Sequence, residues 1–272
     1  MPILSIITGA YNAASCPHFH KSIMSILDQS FSDFEFIICD DGSTDETYEV
    51  LKRYAQADPR IKLLQNEKNL GLAPTLNKCL EQATGSYIAR HDCDDYNAKD
   101  RFEKQLAYLE KHKNIAVLGT AAYLFDDVGI WGLDLMPKEV TNKDFLFTSP
   151  YKHGSVIFRK EALLKANGYR VAKETLRTED YDLFMRMQTF CKGENLLEPL
   201  YYFCEDSVTR KRRKYRYRIN EAKVRAIGFK KLGLMPKAIP YVIKPLLVGL
   251  IPGSILFKLQ NKRRALIKKK TK

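Results

Sequence analysis

Three clusters of carboxylates carry the chemical potential of this chain. The first is Asp92-Cys93-Asp94-Asp95, where Asp92 and Asp94 stand one residue apart just after an apolar run. That spacing lets both carboxylates reach one ion or its water shell, and hard oxygen ligands suit Mg²⁺ or Mn²⁺ shared with substrate phosphates. A calcium loop fits poorly, because the sixth position from Asp92 is Asn97 where glycine is needed, and Tyr96 fills the fifth. The same stretch can also be a solvated loop leading to a helix cap at Asp100. The second cluster is Asp40-Asp41, followed by Gly42. A turn and a Ser43-Thr44-Asp45-Glu46 capping box account for the residues after it, but not for the acidic doublet. The third is Thr178-Glu179-Asp180. Acids in a first helical turn are ordinary partners of the helix dipole; alternatively, one of them is a general base that deprotonates a hydroxyl.

These residues meet only if the surrounding elements bring them together. Apolar runs at 3–8, 34–39, 61–65 and 86–91 predict strands. Between them, Phe19, Ile23, Ile26 and Leu27 recur at helical spacing, the capping box opens a second helix, and 72–83 is a helix closed by Gly85. A further helix spans 101–111. This βαβα alternation with continuous apolar strands predicts a parallel sheet covered on both faces. Ligands of such sheets sit beyond the carboxyl ends of the strands. Tyr11-Asn12, Asp40-Asp41 and Asp92 to Asp95 are therefore expected on one edge. Five aspartates in one crevice repel each other unless compensated, and a divalent metal is the simplest compensation. Further on, strands are predicted at 115–119 and 155–159, joined by irregular sequence containing Trp131 and Pro137. Helices at 160–166, stopped by Asn167-Gly168, and at 180–190 follow.

With 272 residues, 45% hydrophobic and 28% charged, the chain is globular and long enough for one large α/β domain with an appendage. The formal charge of +13 is unevenly spread. Residues 1–209 hold 24 Lys and Arg against 31 acids, whereas 210–272 hold 21 Lys and Arg and one acid, Glu221. Such a tail points to an anionic partner. Its longest uncharged stretch, 245–257, is 13 residues with two prolines, too short to span a bilayer. Shallow attachment to an anionic membrane surface fits it better, though residues 219–257 can equally be helices packed on the domain. Aromatic interleaving is limited to Tyr215 and Tyr217 and no recognition fold precedes them, which argues against nucleic acid. The six cysteines show no CxxC pair and read as reduced thiols, and the N-terminus has no basic leader, so a cytoplasmic protein is expected.

In order, these pieces resemble the family-2 inverting glycosyltransferases of the GT-A fold, above all bacterial enzymes that assemble capsule, exopolysaccharide or lipopolysaccharide. The matching stretches are LSIITGAYN (4–12), SILDQSFSDFEFIICDDGSTD (25–45), Asn69-Leu70-Gly71 with Leu76-Asn77, GSYIARHDCDD (85–95), HGSVIFR (153–159) and EDYDLFMR (179–186). The resemblance implies a GT-A domain over 1–209, a Rossmann-like nucleotide-binding mixed sheet flanked by helices, while the charge and apolar turns of the tail make 210–272 a basic C-terminal helical membrane-association segment. It implies that Tyr11 and Asp41 hold the base of a nucleotide-sugar, normally a UDP-sugar, with Asp40 supporting that strand end. Asp94 is then the direct ligand of Mn²⁺ or Mg²⁺, and Asp92 acts near the ribose or through water. Asp180 is the catalytic base, with Glu179 shaping the acceptor site. The implied acceptor is a growing, lipid-linked glycan, which places the enzyme peripherally on the inner face of the cytoplasmic membrane. Two positions depart from the family pattern. Tyr202 and Cys204 stand where an Arg-x-His element is usual, leaving the diphosphate contact to a residue of the Arg210 to Arg213 run, and Gly9-Ala10 stands where Pro-Thr or Pro-Val is common. A sugar-nucleotide nucleotidyltransferase would need a basic Gly-rich loop after the first strand, which residues 9–14 lack. A non-catalytic scaffold is disfavoured by the intact Asp94 and Asp180.

Overall fold

The computed structural model describes residues 1–205 and 215–251. Its first half alternates β1 (Leu4–Ala10), α1 (Phe19–Leu27), β2 (Phe34–Asp40), α2 (Thr47–Ala57), β3 (Ile61–Gln65), α3 (Leu72–Gln82) and β4 (Tyr87–Arg90). A two-residue β5 (Tyr96–Asn97) and α4 (Arg101–Lys111) follow. Then come β6 (Ile115–Asp126), β7 (Gly129–Asp134), β8 (Ile157–Arg159), α5 (Lys160–Lys165), α6 (Glu179–Gln188) and β9 (Lys192–Cys204). Two helices, α7 (Tyr215–Lys231) and α8 (Ile239–Leu250), end the described chain.

The strands form one sheet in the order β3-β2-β1-β4-β8-β6-β9-β5, with β7 beside β6. Parallel pairing holds through β1, β2, β3 and β4, and again between β6 and β9. β8 runs antiparallel to both β4 and β6, so the sheet is mixed. Alternation explains why the first strands read as unbroken apolar runs. Ile7, Ile37 and Cys39 face one core with α3, α5, α6 and α7, whereas Leu4, Ile6, Phe36 and Ile38 face the other with α1, α2 and α4.

Three local expectations change. The box at Ser43 does not cap α2, because its hydroxyl accepts the Asn12 N–H at 2.9 Å and the helix begins later, at Thr47. Thr47 Oγ1 in turn accepts the N–H groups of Ala13 and Ala14, tying the loop after β1 to α2. Gly85 is not the stop of α3, which ends with Ala83 in extended backbone. A Cβ at Gly85 would lie 2.8 Å from Ser5 N and 2.9 Å from Ile3 O, so glycine is needed for close approach to β1. The segment after 115 is largely strand: β6 reaches Asp126, β7 pairs back on it through a bulge, and β9 lies parallel along it.

Helix α7 joins the main core, burying Val224 and Phe229 in the cluster that also holds Leu183 and Met185 of α6. Arg225 fastens it to the carbonyls of Leu146 (2.8 Å) and Phe147 (3.1 Å). Helix α8 buries only Pro245. Among the described residues no helix is long and apolar enough to cross a membrane. The proposed boundary at 209/210, the Arg210 to Arg213 run and the tail beyond 251 lie outside the described residues.

Candidate active site

A cavity of about 830 Å³ opens at the carboxyl ends of β1, β2 and β4. Its far wall comes from residues 171–177 and the start of α6, so two distant stretches of sequence close on one space. Tyr11, Asp41, Asp92, Asp94 and Glu179 line it; Asp40 and Asp95 do not. Three of the five aspartates expected there line the cavity, with Asp127 as a fourth.

Tyr11 stands at the end of β1, 47% exposed, on a loop shaped by Asn12 in the left-handed region at φ 48°. Asn12 tolerates that conformation because its short amide bonds locally, here accepting the Thr44 N–H at 2.9 Å. Asp40 is fully buried and braces the turn after β2, with Oδ2 accepting Ser43 N–H at 3.2 Å and the Gln65 amide at 3.4 Å. Asp41 has both oxygens engaged. Oδ1 accepts from the Asn66 side chain and Leu70 N–H, and Oδ2 from Gly71 N–H, all at 2.9 Å. These donors compensate its charge and hold the 69–71 loop against the cavity.

After β4, Asp92 is compensated from below. The guanidinium of Arg90, wholly buried in the strand, donates to Asp92 Oδ1, while its Nε and Nη1 have no hydrogen-bond partner among the described residues. Sequence reasoning missed Arg90; the one available signal was a cation two positions before Asp92 in an otherwise apolar strand. Asp95 turns away to accept the Cys204 N–H at 2.7 Å, which ties the end of β9 to this loop. Burial, then the charges of Asp94 and Asp92, push its carboxyl well above the usual range. Among the described residues no three His, Cys, Asp or Glu side chains gather as a metal cluster. Two wall carboxylates without a third still fit Mg²⁺ or Mn²⁺, which bind through one or two carboxylates plus water and substrate phosphates. Asp92 and Asp94 are the two carboxylates at the end of β4 that could hold such an ion.

The start of α6 is fixed by Asp182, whose Oδ2 accepts Arg186 Nε at 2.7 Å and Oδ1 Arg170 Nε at 3.1 Å. Arg186 also donates to the carbonyl of Gly168 at 2.8 Å, anchoring the helix to the turn after α5. Glu179, 9% exposed, therefore has a set position in the wall. Burial, and then the charge of Asp180, push its carboxyl up to about 7. Asp180 is raised too, by burial first; the charge of Asp92 adds to this and that of Arg90 opposes it. Asp180 thus sits within the electrostatic reach of the Arg90–Asp92 pair, although it is not part of the cavity lining. Cys204 and Tyr217 complete the lining, whereas Tyr202 stacks on Tyr96 with ring centroids 4.3 Å apart.

Residues 5–171 match the sequence model of the family described as "Glycosyl transferase family 2". EpsE of Bacillus subtilis (strain 168) is 39% identical over 264 residues, covering 96% of this chain and 94% of that protein. The amylovoran biosynthesis glycosyltransferase AmsE of Erwinia amylovora is 31% identical, covering 69% of this chain and 70% of its own. Among solved structures, S. aureus TarS 1-349 in complex with UDP-GlcNAc superposes with a TM-score of 0.69 at 20% identity, covering 89% of this chain and 72% of that one. That likeness establishes the curled mixed sheet of the GT-A fold.

Proposed function

Because this chain belongs to glycosyl transferase family 2 and is a glycosyltransferase that draws on a nucleotide-sugar donor, we propose that it transfers a sugar from a UDP-sugar to a hydroxyl of a growing, lipid-linked surface glycan. The observation that carries this reading is the cavity at the ends of β1, β2 and β4, faced from α6 by Glu179. In it, Tyr11 offers a ring to the base, and Asp41 keeps the Leu70–Gly71 amides at the base pocket, with Asp40 bracing the turn behind. Asp94 would hold Mn²⁺ or Mg²⁺, and Asp92, restrained by Arg90, would act at the ribose or through water. When bound, the cation supplies charge neutralisation for the leaving diphosphate. Asp180 takes the proton of the acceptor hydroxyl, so that the oxygen attacks the anomeric carbon from the face opposite the diphosphate and inverts it. Glu179 beside it shapes the acceptor side. The basic C-terminal segment keeps the enzyme at an anionic membrane surface, the inner face of the cytoplasmic membrane, where a lipid-linked acceptor is held. The AmsE likeness supports a polysaccharide acceptor and the TarS complex supports a UDP-sugar.

Calorimetric titration with UDP, GDP and dTDP, each with and without Mn²⁺, tests the donor assignment. UDP binding that requires the metal is the expected result. Binding of GDP or dTDP alone would replace UDP as the donor nucleotide, and no binding by folded protein would overturn the reading.

A further inference from the structure

Helix α8 leaves a continuous apolar stripe uncovered. Ile239, Ile243, Leu247 and Leu250 recur at spacings of four, four and three, one face of a helix, and are 45%, 43%, 59% and 69% exposed. Phe147, 61% exposed, packs on the flank of α8 from the domain: its ring meets Tyr241 at 5.0 Å and lies under Lys244 Nζ at 5.5 Å. The opposite side is fixed. Pro245 is buried, and Gly249 lets the end of α8 press on the start of α7, where a Cβ would come within 2.9 Å of the Tyr215 ring.

We propose that this face is the surface on which the protein docks, helix α8 flat, onto an anionic lipid bilayer; the inference rests on the membrane reading above and assigns it to particular residues. Charge selects the occupant. Residues 222–272 contain 14 Lys and Arg and no acid; Lys244 is the one charge on α8 itself, and the others lie in the sequence on either side of it. A second copy presenting the same face would bring like charges together, whereas anionic headgroups neutralise them while the apolar stripe enters the interface. A helix of 12 residues is about 18 Å long, too short to cross and suited to lie in the plane. The placement also orients the enzyme. Tyr217, in the first turn of α7, lines the cavity, and the end of α8 packs against Tyr215 beside it. Docking through α8 therefore leaves only this helix between the cavity-lining start of α7 and the bilayer surface, where an acceptor carried on a lipid is held.

The test is cosedimentation of the full chain with phosphatidylcholine vesicles and with vesicles in which about a third of the lipid is phosphatidylglycerol. The wild type should sediment with the anionic vesicles only and release with salt. The variant Ile243→Ser/Leu247→Ser should partition at least ~10-fold more weakly, with UDP binding and melting temperature unchanged. Unchanged sedimentation of the variant overturns the proposal, as does equal binding to neutral vesicles. A marked drop in the variant's melting temperature with vesicle binding intact would mean the chain itself covers this face, and a dimer lost in the variant would make it a contact between copies; either overturns it. Nucleotide titration on the same samples keeps the readings apart, since vesicle binding without UDP binding leaves the docking face standing and removes the donor assignment.

Discussion

Replacing Glu179 by Gln should stabilise the protein, increasingly as pH rises from about 5 and fully above about 7. Glu179 is buried in the cavity wall, and its carboxyl rises from an ordinary 4.5 to about 7. The folded state thus holds this proton more tightly than the unfolded chain. The stability it contributes is complete below the unfolded value and is lost as pH climbs toward the folded one. A rise of about 2.5 pH units at 1.36 kcal/mol each comes to about 3 kcal/mol. The glutamine cannot ionise, so the variant escapes that loss. Urea denaturation at several pH values from about 5 to about 8, in EDTA and without nucleotide, reads it out through the single, buried tryptophan, Trp131. The stability difference between variant and wild type should grow by about 3 kcal/mol over that window. Because the charge of Asp180 is the second cause of the rise, Asp180→Asn should flatten the wild-type slope in part. A difference that is constant with pH would refute the argument, since it would mean that Glu179 is hydrated in the folded protein.

Asp180→Asn should cut turnover on the true acceptor by about 100-fold or more while leaving the UDP affinity within about threefold, as removal of a general base does; near-full turnover would assign the base elsewhere. Asp94→Ala should weaken Mn²⁺-dependent UDP binding by at least ~10-fold in calorimetry and leave metal-free binding unchanged. Arg90→Met should lower stability by about 2 kcal/mol or more in urea, a discounted figure because the Asp92 side chain is 29% exposed. Gly85→Ala, whose Cβ would meet the β1 backbone at 2.8 Å, should cost about 1–3 kcal/mol without altering nucleotide affinity in samples that remain folded.

The parallel half of the sheet was legible because β1, β2 and β4 are mostly apolar and buried on both faces and each helix carries its own periodic stripe, as in α4, whose bounds match the expected 101–111. The second half was not, because β9 draws its order from a partner far away in the chain. Residues 192–204 (KGENLLEPLYYFC) mix charges, a proline and aromatics, and become a strand by lying along β6 with register shifts that absorb the irregularity. Gly85 misled for a related reason. A glycine just after a helix usually reports on the helix, but this one reports on a backbone 80 residues earlier, at Ser5. The Ser43 hydroxyl, likewise, was claimed by Asn12 across the loop before it could serve a capping box.

The acidic site was legible in its location and not in its electrostatics. Asp40, Asp41, Asp92, Asp94 and Asp95 look equivalent in sequence, each at the end of an apolar run, and their summed repulsion argued for a cation. The fold distributes that charge by giving most of them private donors: turn and side-chain amides for Asp40, loop amides and Asn66 for Asp41, Arg90 for Asp92, and the Cys204 N–H for Asp95. What needs an added cation is therefore much less than five charges, and no preformed cage of three ligands exists among the described residues. Such a site is expected to hold a divalent ion weakly alone and firmly once a diphosphate adds its oxygens and its charge. Compensation by backbone amides and a buried guanidinium is invisible to any rule that counts carboxylates along a sequence, because each donor comes from a different element.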